Sequence, residues 1–212
     1  MSEFWEEKYK SIGVTWKFEP AESAIIACKL FTENGFHKVL IPGVGYGRNA
    51  KIFADSGMDV TGIEISATAI RLARESGLEF KIHRGPVQRM PFDKEEYDGI
   101  FCYALLHLLN QNDRRMFLKK CYDQLRPDGI MVFTLLSKEH KLYGTGQLVS
   151  VDRFRIEKGL TAFFYDPVSV EKEFGPYGLI EYQLIDEPVR HLESEEPMKL
   201  YHVTCRKKQY PE

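Results

Sequence analysis

Residues 39–50 read VLIPGVGYGRNA, where an apolar run leads directly into three glycines at alternate positions. The apolar run predicts a strand over 38–42. The residues after the glycines have helical spacing and end at a glycine, which predicts a helix over 47–56. The stretch therefore predicts a strand, a glycine-rich turn and a helix, an arrangement that presents main-chain N–H groups to a ligand.

The spacing of the glycines narrows the class of ligand. Gly43 and Gly45 allow the main chain to approach a ligand, and Gly47 allows the helix to begin tightly against the strand. The dinucleotide fingerprint G-x-G-x-x-G/A requires a small residue at the position of Arg48, whose long side chain would obstruct helix packing or a pyrophosphate. The G-x-G-x-G spacing suits a nucleoside with an amino-acid tail. The alternative is a tight turn without a ligand.

A carboxylate follows at the end of the next predicted strand, over residues 58–65. Glu64 lies 21 residues after Gly43, where it can accept hydrogen bonds from both hydroxyls of a ribose. The alternative for Glu64 alone is a solvated acid at a strand end. The combination of turn and acid at this separation favours a nucleoside ligand.

The remaining chain alternates between strand-like and helix-like segments. Helices are predicted over 21–34, 67–76 (after the N-cap Ser66), 112–125 and 167–175, and strands over 79–83, 97–103, 130–136, 179–185 and 199–206. The turn Arg126-Pro127-Asp128-Gly129 is expected to close the third of these helices. Alternation predicts an α/β fold with a mostly parallel sheet, helices on both faces and a final antiparallel pair. The less regular residues 137–165, with their aromatic cluster, are expected to form an insertion.

Composition and charge limit the classes of partner that the protein is expected to bind. The chain has 212 residues, a formal net charge of −2 and no long block of one sign, which argues against a nucleic-acid partner. The charged start MSEFWEEKYK and the lack of a long apolar run argue against a membrane protein and predict a cytoplasmic one. The four cysteines lack C-x-x-C spacing, so reduced thiols and no metal site are expected. We expect one domain over 1–212, as a monomer or a homodimer.

At this point the chain resembles the class I S-adenosylmethionine-dependent methyltransferases. The matching runs are VLIPGVGYGRNAKIFADSGMDVTGIEIS, YDGIFCYALLHLL and LRPDGIMVFTLL, in the order and spacing of that family. The resemblance covers residues 35–136 strongly and the tail weakly. It implies a three-layer Rossmann-like sandwich with a seven-stranded, mostly parallel sheet, an antiparallel last strand and helices on both faces.

The resemblance also implies the cofactor and its contacts. S-adenosylmethionine, which becomes S-adenosylhomocysteine, would contact Gly43, Val44, Gly45, Gly47, Asn49, Glu64, Ile65, Val87, Gln88, Tyr103 and Tyr9. Glu64 would hold the ribose hydroxyls and Ile65 would pack on the adenine, whose edge would meet Val87 and Gln88. Tyr103 would lie near the transferred methyl group.

Two positions depart from the family pattern. Ile41 stands where many relatives carry an acid that holds the cofactor's ammonium group, and with Pro42 it resembles the thiopurine methyltransferase branch. Pro86 stands where many relatives have an aspartate that accepts from the adenine amino group. Main-chain groups at the turn, with Tyr9 or Tyr103, are therefore expected to replace the first acid, and main chain at Val87 the second.

The start FWEEKY resembles the W-x-x-x-Y segment of small-molecule and tellurite-resistance methyltransferases, which covers the cofactor. Trp5 and Tyr9 are four residues apart and would share a helix face. Residues 1–34 are thus expected to form a helical cap over the cofactor. The alternative is that both rings only anchor a terminal helix to the core.

The resemblance predicts methyl transfer to a small-molecule acceptor, since the CYALLH sequence lacks an amide- or base-directed motif and no nucleic-acid domain is present. Tyr103 and His107 are the candidate catalytic residues, although a histidine packed within a helix is the alternative for His107. Residues 137–165 could form a lid over the acceptor. A non-catalytic protein with the same fold is a second hypothesis, prompted by Ile41 and Pro86. An NAD or nucleotide-sugar enzyme is a third, disfavoured by Arg48 and the final strand pair.

Overall fold

A computed structural model describes residues 2–13, 18–156, 160–188 and 196–209 of the chain. The helices are α1 (Ser2–Ile12), α2 (Glu22–Glu33), α3 (Ala50–Asp55), α4 (Ala67–Glu75), α5 (Gln111–Gln124) and α6 (Pro167–Phe174). The strands are β1 (Lys38–Pro42), β2 (Asp59–Glu64), β3 (Lys81–Arg84), β4 (Tyr97–Cys102), β5 (Leu125–Leu136), β6 (Gln147–Ser150), β7 (Arg153–Arg155), β8 (Thr161–Phe163), β9 (Leu179–Glu187) and β10 (Met198–Arg206). Short 3₁₀ turns cover Val87–Arg89, Leu106–Leu108 and Gly175–Tyr177.

The main sheet has seven strands in the order β3-β2-β1-β4-β5-β10-β9. Strands β1 to β5 pair in parallel, whereas β10 is antiparallel to both of its neighbours. Six strands therefore run in one direction and β10 runs against them, which confirms the predicted sheet. The strand order reverses between β1 and β4, and ligands of open α/β sheets bind outside the carboxyl ends of the strands at such a reversal.

Side-chain alternation along the strands builds a core on each face of the sheet. Val39 packs with Phe31 of α2 and Phe53 of α3 on one face. Leu40, the next residue of β1, packs with Phe117 of α5 on the other face. The fold is therefore three-layered, with helices on both faces of the sheet as predicted.

The glycine turn is longer than the sequence pattern suggests. Helix α3 begins at Ala50, not at Gly47. Gly43, Gly45 and Gly47 have φ angles of 71°, 58° and 88°, which are incompatible with an α-helix. The predicted start of this helix is therefore wrong by three residues, and the turn runs to Asn49. Strand β3 is also displaced from the predicted range, to Lys81–Arg84.

Residues 126–129 do not form a separate turn after α5. Helix α5 ends at Gln124 and passes directly into β5, which includes these residues. The N–H of Asp128 donates to the carbonyl of Lys207 at 3.1 Å, and the N–H of Lys207 donates to the carbonyl of Gly129 at 2.9 Å. The left-handed φ of 62° at Asp128 supplies the change of direction that the sequence suggested.

The segment after β5 contains a second, antiparallel sheet in the order β6-β7-β8. It returns to the main sheet through a bridge between Ser137 and Tyr165. Lys138 Nζ lies 2.8 Å from a carboxylate oxygen of Asp152 and 2.6 Å from one of Asp166, which joins the small sheet to the start of α6. Within the expected insertion over 137–165, residues 157–159, which include Gly159, lie outside the described residues.

Candidate functional site

A cavity of about 570 Å³ opens beside the carboxyl ends of β1, β2 and β4. The glycine turn forms one of its walls. The N–H groups of Gly43 and Val44 donate to the carbonyl of Ile63 at 2.8 and 3.1 Å, which ties the turn to the end of β2. A Cβ atom added at Gly45 would lie 2.8 Å from the Tyr9 hydroxyl oxygen. The turn therefore needs glycine at this position both for its left-handed φ and for the close approach of Tyr9.

Glu64 ends β2 and lines the cavity with only 6% of its surface exposed. One carboxylate oxygen accepts from the N–H of Gly45 at 2.9 Å, and the other accepts from the N–H groups of Ile65 and Ser66 at 2.8 Å each. Burial raises the pKa of this carboxyl, and the three N–H donors oppose that rise. The carboxylate thus fixes the glycine turn relative to β2 while facing the cavity.

Helix α1 contributes side chains to the wall of the cavity. Trp5 and Tyr9 both line it, with ring centroids 6.1 Å apart, so they share a helix face as the i, i+4 spacing predicted. Burial raises the pKa of the Tyr9 hydroxyl well above its usual range, and the charge of Glu64 adds to the shift. Tyr9 is therefore a neutral phenol at the glycine turn.

Glu6, on the same helix, joins α1 to α4. Its carboxylate accepts from Ser66 Oγ and Thr68 Oγ1 at 2.7 Å each, and from the N–H of Thr68 at 3.2 Å. These hydrogen bonds lower the pKa of Glu6 to about 2. Because Ser66 is the N-cap of α4, the carboxylate also lies where a helix N-terminus stabilises negative charge.

Residues after β3 form the opposite wall. Pro86, Val87 and Gln88 line the cavity there, and Ile65, which follows β2, lines it as well. The side-chain amide of Gln88 donates to Asp113 at 3.3 Å, and the main-chain carbonyl of Gln88 accepts from Lys120 Nζ at 2.6 Å. Gln88 is thus held by α5, and its neighbour Val87 is buried.

Two residues of the glycine turn pack against other parts of the fold. Gly47 is not among the residues that line the cavity, and a Cβ atom there would lie 2.4 Å from Leu78 Cδ1. Close packing against the segment before β3 thus requires glycine at this position, and the expected contact of Gly47 with the cofactor stays a prediction. Asn49 does line the cavity, but its Oδ1 accepts from the N–H of Ala21 at 2.9 Å. Its side chain therefore holds the start of α2.

Tyr103, which follows β4, lines the cavity as the sequence indicated. Burial raises the pKa of its hydroxyl to about 12, helped by the charge of Glu187 and opposed by the charge and hydrogen bond of Arg48. The Arg48 guanidinium lies 5.4 Å from the centroid of the Tyr103 ring. Tyr103 is therefore a neutral hydrogen-bonding group at neutral pH and not a general base.

His107, the other candidate catalytic residue, is not among the residues that line the cavity. It is 4% exposed, and its Nδ1 faces the N–H of Leu136 at 3.4 Å. Burial lowers the pKa of its ring to about 3, and the nearby His140 and Arg114 contribute to the shift. His107 therefore lies in the core and away from the cavity wall, which favours the alternative of a packed histidine over a catalytic role. It is a neutral histidine packed between the 3₁₀ turn and β5.

Replacing His107 with asparagine is expected to make the protein less sensitive to acid. The unfolded chain protonates this ring near pH 6.5, whereas the folded chain does so only near pH 3. Stability should therefore fall as the pH drops from 6.5 toward 3, by up to about 1.4 kcal/mol per pH unit for this group. The introduced amide would still accept from the N–H of Leu136 but would not titrate, so the slope of unfolding free energy against pH should become smaller.

Urea unfolding between pH 7.5 and pH 4.5 measures this slope for both proteins. Part of the slope should remain in the variant, because burial also lowers the pKa values of His140 and His202. An identical slope in the two proteins would show that His107 titrates normally in the folded state.

Several cavity residues were not identified from the sequence as cofactor contacts. The segment ALLHLL contributes Ala104, Leu105, Leu108 and Leu109, the insertion contributes His140, Lys141 and Leu142, and the tail contributes Pro188, Glu196 and Met198. Helix α1 adds Lys8, strand β1 adds Ile41, and the glycine turn adds Tyr46 and Arg48. The sequence pointed to Ile41 through the family pattern and to the insertion through its aromatic cluster, whereas the other residues come together through tertiary structure.

Among the histidines that the structure describes, His140 is the one that lines the cavity. Its Nδ1 accepts from the N–H of Leu142 at 3.1 Å, which leaves the proton of the neutral ring on Nε2. Burial lowers the pKa of the ring, and the charge of Lys141 contributes. His140 is thus a hydrogen-bond donor at this end of the cavity.

All four cysteines are buried and free. Within the described ranges there is no group of three or more His, Cys, Asp and Glu side chains that could hold a metal ion. No helix among these residues is both long and apolar enough to cross a membrane.

Comparisons with known proteins agree with this geometry. Residues 40–133 match the family model of a methyltransferase domain. A glycine/sarcosine N-methyltransferase of Aphanothece halophytica is 24% identical over 177 residues, which cover 76% of this chain and 66% of that protein. A ubiquinone biosynthesis O-methyltransferase of Bordetella avium is 27% identical over 111 residues, which cover 50% of this chain and 45% of that protein. The chain spans about half to two thirds of the length of the curated relatives that it matches.

The fold is also found in solved structures. The 1,6-didemethyltoxoflavin-N1-methyltransferase of Burkholderia thailandensis, solved with S-adenosylhomocysteine, has a TM-score of 0.73 and 17% identity, covering 98% of this chain and 87% of that chain. Its likeness concerns the fold, and the family model covers the segment that carries the glycine turn and Glu64. Residues 40–133 are therefore similar to a methyltransferase domain, and the chain shares its fold with S-adenosylmethionine-dependent methyltransferases of known structure.

Proposed function

We propose that the protein is an S-adenosylmethionine-dependent methyltransferase that acts on a small, diffusible acceptor. The observation that carries this proposal is the buried Glu64 carboxylate facing a cavity of about 570 Å³ beside the glycine turn. A cavity of that size is typical of small-ligand sites. The relatives named as N- and O-methyltransferases support the same reaction class.

The residues around the cavity fit this cofactor. Glu64 offers carboxylate oxygens to the ribose hydroxyls, while Gly43 and Gly45 leave room for the main chain to approach the ligand. Ile65 and Val87 provide apolar surface for the adenine. When bound, S-adenosylmethionine supplies a sulfonium methyl group that passes to the acceptor by in-line displacement and leaves S-adenosylhomocysteine.

The chain's own residues orient the acceptor and exclude water. Leu105, Leu108 and Leu142 give the cavity an apolar wall at the end nearest the insertion. His140 is positioned to donate from Nε2, and Tyr103 from its hydroxyl, so both would hold an acceptor without removing a proton from it. The acceptor is therefore expected to present a nucleophile that is already deprotonated at neutral pH.

The whole chain is proposed to act as one domain. Residues 1–34 would form a cap over the cofactor, because α1 contributes Trp5 and Tyr9 to the cavity. Residues 137–165 would act as a lid over the acceptor, because they contribute His140 and Leu142. We further propose a cytoplasmic protein without a nucleic-acid partner, either monomeric or homodimeric.

Isothermal titration calorimetry with S-adenosylmethionine and S-adenosylhomocysteine tests the proposal. Binding of both is expected, and absence of binding at roughly millimolar ligand would overturn it. Incubation with a panel of small amines, carboxylic acids, phenols and thiols, followed by mass spectrometry, tests for transfer. Tight cofactor binding with no transfer to any class of acceptor would instead favour the non-catalytic hypothesis.

A further inference from the structure

The amino-acid end of the proposed cofactor carries one carboxylate and one ammonium group, which need partners of opposite charge. The cavity-lining residues between 41 and 49, all of which the structure describes, include no carboxylate. Ile41, which is 2% exposed, presents an apolar side chain there. Arg48 is the charged side chain of this group.

The Arg48 guanidinium is held in place by its neighbours. It lies 5.4 Å from the centroid of the Tyr103 ring, and its Nη1 donates to the carbonyl of Glu19 at 3.4 Å. A guanidinium stacked on a ring loses little further freedom when it binds a ligand. Its planar fork of N–H donors matches the geometry of a carboxylate, and such charge-assisted pairs are stronger than neutral hydrogen bonds.

We propose that Arg48 binds the α-carboxylate of the cofactor, and that the cavity recognises this carboxylate more strongly than the α-ammonium group. This inference rests on the proposed function. It follows from the placement of Arg48, a cation that attracts the carboxylate and repels the ammonium, whereas the nearby Glu64 carboxylate already accepts from three N–H groups. Arg48, which argued against a pyrophosphate ligand in the sequence, would thus determine the specificity for the amino-acid end of the cofactor.

Apart from Glu64, three acids are the alternative partners for the ammonium group. Glu187 is fully buried and accepts from the N–H groups of Glu22 and Ser23 at 2.8 and 3.1 Å, so its carboxylate is engaged at the start of α2. Glu19 and Glu196 line the cavity but are exposed, and solvent screens such charges. Glu19, whose main-chain carbonyl accepts from Arg48, is the acid to be tested against Arg48.

Calorimetry of the wild-type protein gives the first test, without any substitution. Three ligands are compared: S-adenosylhomocysteine, its decarboxylated analogue and its deaminated analogue. Loss of the carboxylate is expected to weaken binding by about tenfold or more, and loss of the amino group by less than about threefold. The reverse order of the two losses would overturn the proposal.

Substitutions give the second test. In Arg48→Met, S-adenosylhomocysteine should bind about tenfold more weakly, while the decarboxylated analogue should bind nearly as it does to the wild type. Arg48→Lys keeps the charge but loses the planar fork of donors. Its affinity for S-adenosylhomocysteine should therefore lie between those of the wild type and Arg48→Met. Arg71→Met is the matched control, because Arg71 is an exposed arginine paired with Glu75 on α4.

The outcomes separate this proposal from the proposed function. If S-adenosylhomocysteine binds the wild type and the preference for the carboxylate persists in a folded Arg48→Met protein, only the role of Arg48 fails. If Glu19→Gln abolishes a dominant preference for the amino group, Glu19 is the determinant and the proposal is wrong. If S-adenosylhomocysteine does not bind the wild type at all, the cofactor assignment fails first and this inference fails with it.

Discussion

Replacing Glu64 with alanine is expected to lower the affinity for S-adenosylhomocysteine by about 100-fold, because the variant loses a charged acceptor for two ribose hydroxyls. The same substitution removes the acceptor of the N–H groups of Gly45, Ile65 and Ser66. The glycine turn should therefore also lose its connection to the end of β2. Calorimetry measures the affinity, and thermal unfolding shows whether the variant remains folded.

Two control variants separate the loss of the ribose contacts from the loss of the connection between the glycine turn and β2. Glu64→Gln keeps one oxygen acceptor but introduces an amide that cannot accept from all three N–H groups, so an intermediate loss of affinity is expected. Glu75→Ala removes an exposed acid from the end of α4 and should leave the affinity unchanged. A dissociation constant for Glu64→Ala within about threefold of the wild-type value would show that Glu64 does not contact the ligand.

Replacing Arg114 with alanine is expected to destabilise the fold by about 3–5 kcal/mol, because a buried carboxylate would lose its partner. Arg114 Nε lies 2.9 Å from Glu173 Oε1, and the two side chains are 6% and 13% exposed. The Tyr165 hydroxyl donates to the same carboxylate at 2.5 Å, and the guanidinium lies 4.1 Å from the centroid of the Phe163 ring. The pair therefore joins α5, α6 and β8, and urea unfolding measures its loss.

The exposed pair of Lys119 and Asp123 on the same helix is the matched control. These side chains are 67% and 53% exposed, so Lys119→Ala should change stability by less than about 0.5 kcal/mol. Combining Arg114→Met with Glu173→Leu should recover much of the loss, because neither charge then remains buried alone. Equal destabilisation by Arg114→Ala and Lys119→Ala would indicate that the buried pair contributes no more than a surface pair.

Arg114 also connects the small sheet to the cavity. Its Nη1 donates to the carbonyl of Leu109 at 3.4 Å, and Arg153 Nη1 of β7 donates to the same carbonyl at 2.5 Å. Leu109 lines the cavity. Loss of Arg114 would therefore loosen one wall of the acceptor end as well as the proposed lid.

The parts of the site that lie close together in sequence were predictable. The glycine turn and Glu64 are separated by one predicted helix and one strand, so local patterns sufficed to place both at the same edge of the sheet. The i, i+4 spacing of Trp5 and Tyr9 likewise predicted a shared face, although only the tertiary fold brings that face to the cavity. The number of strands and the antiparallel last strand followed from the family resemblance, whereas the order of the strands is seen in the structure.

The remaining parts of the site and the small sheet could not be predicted, because their positions depend on contacts between residues far apart in the sequence. His107 follows β4 closely in sequence, yet the 3₁₀ turn Leu106–Leu108 directs its side chain into the core beside Leu136. Arg48 was treated as an obstacle to a pyrophosphate, because the sequence did not show that Tyr103 would lie under its guanidinium. The small sheet of β6, β7 and β8 has short strands and exposed residues, so its alternation of apolar and polar residues was too weak to predict.

The placement of β10 has a consequence for how the chain folds during its synthesis. Strand β10 lies between β5 and β9, where Leu200 pairs with Leu136 on one side and with Ile185 on the other. Strand β9 is therefore made before its neighbour in the sheet exists. A nascent chain that has not reached residue 198 can already hold the glycine turn and Glu64 in place, while β5 still presents an open edge of unpaired main-chain groups.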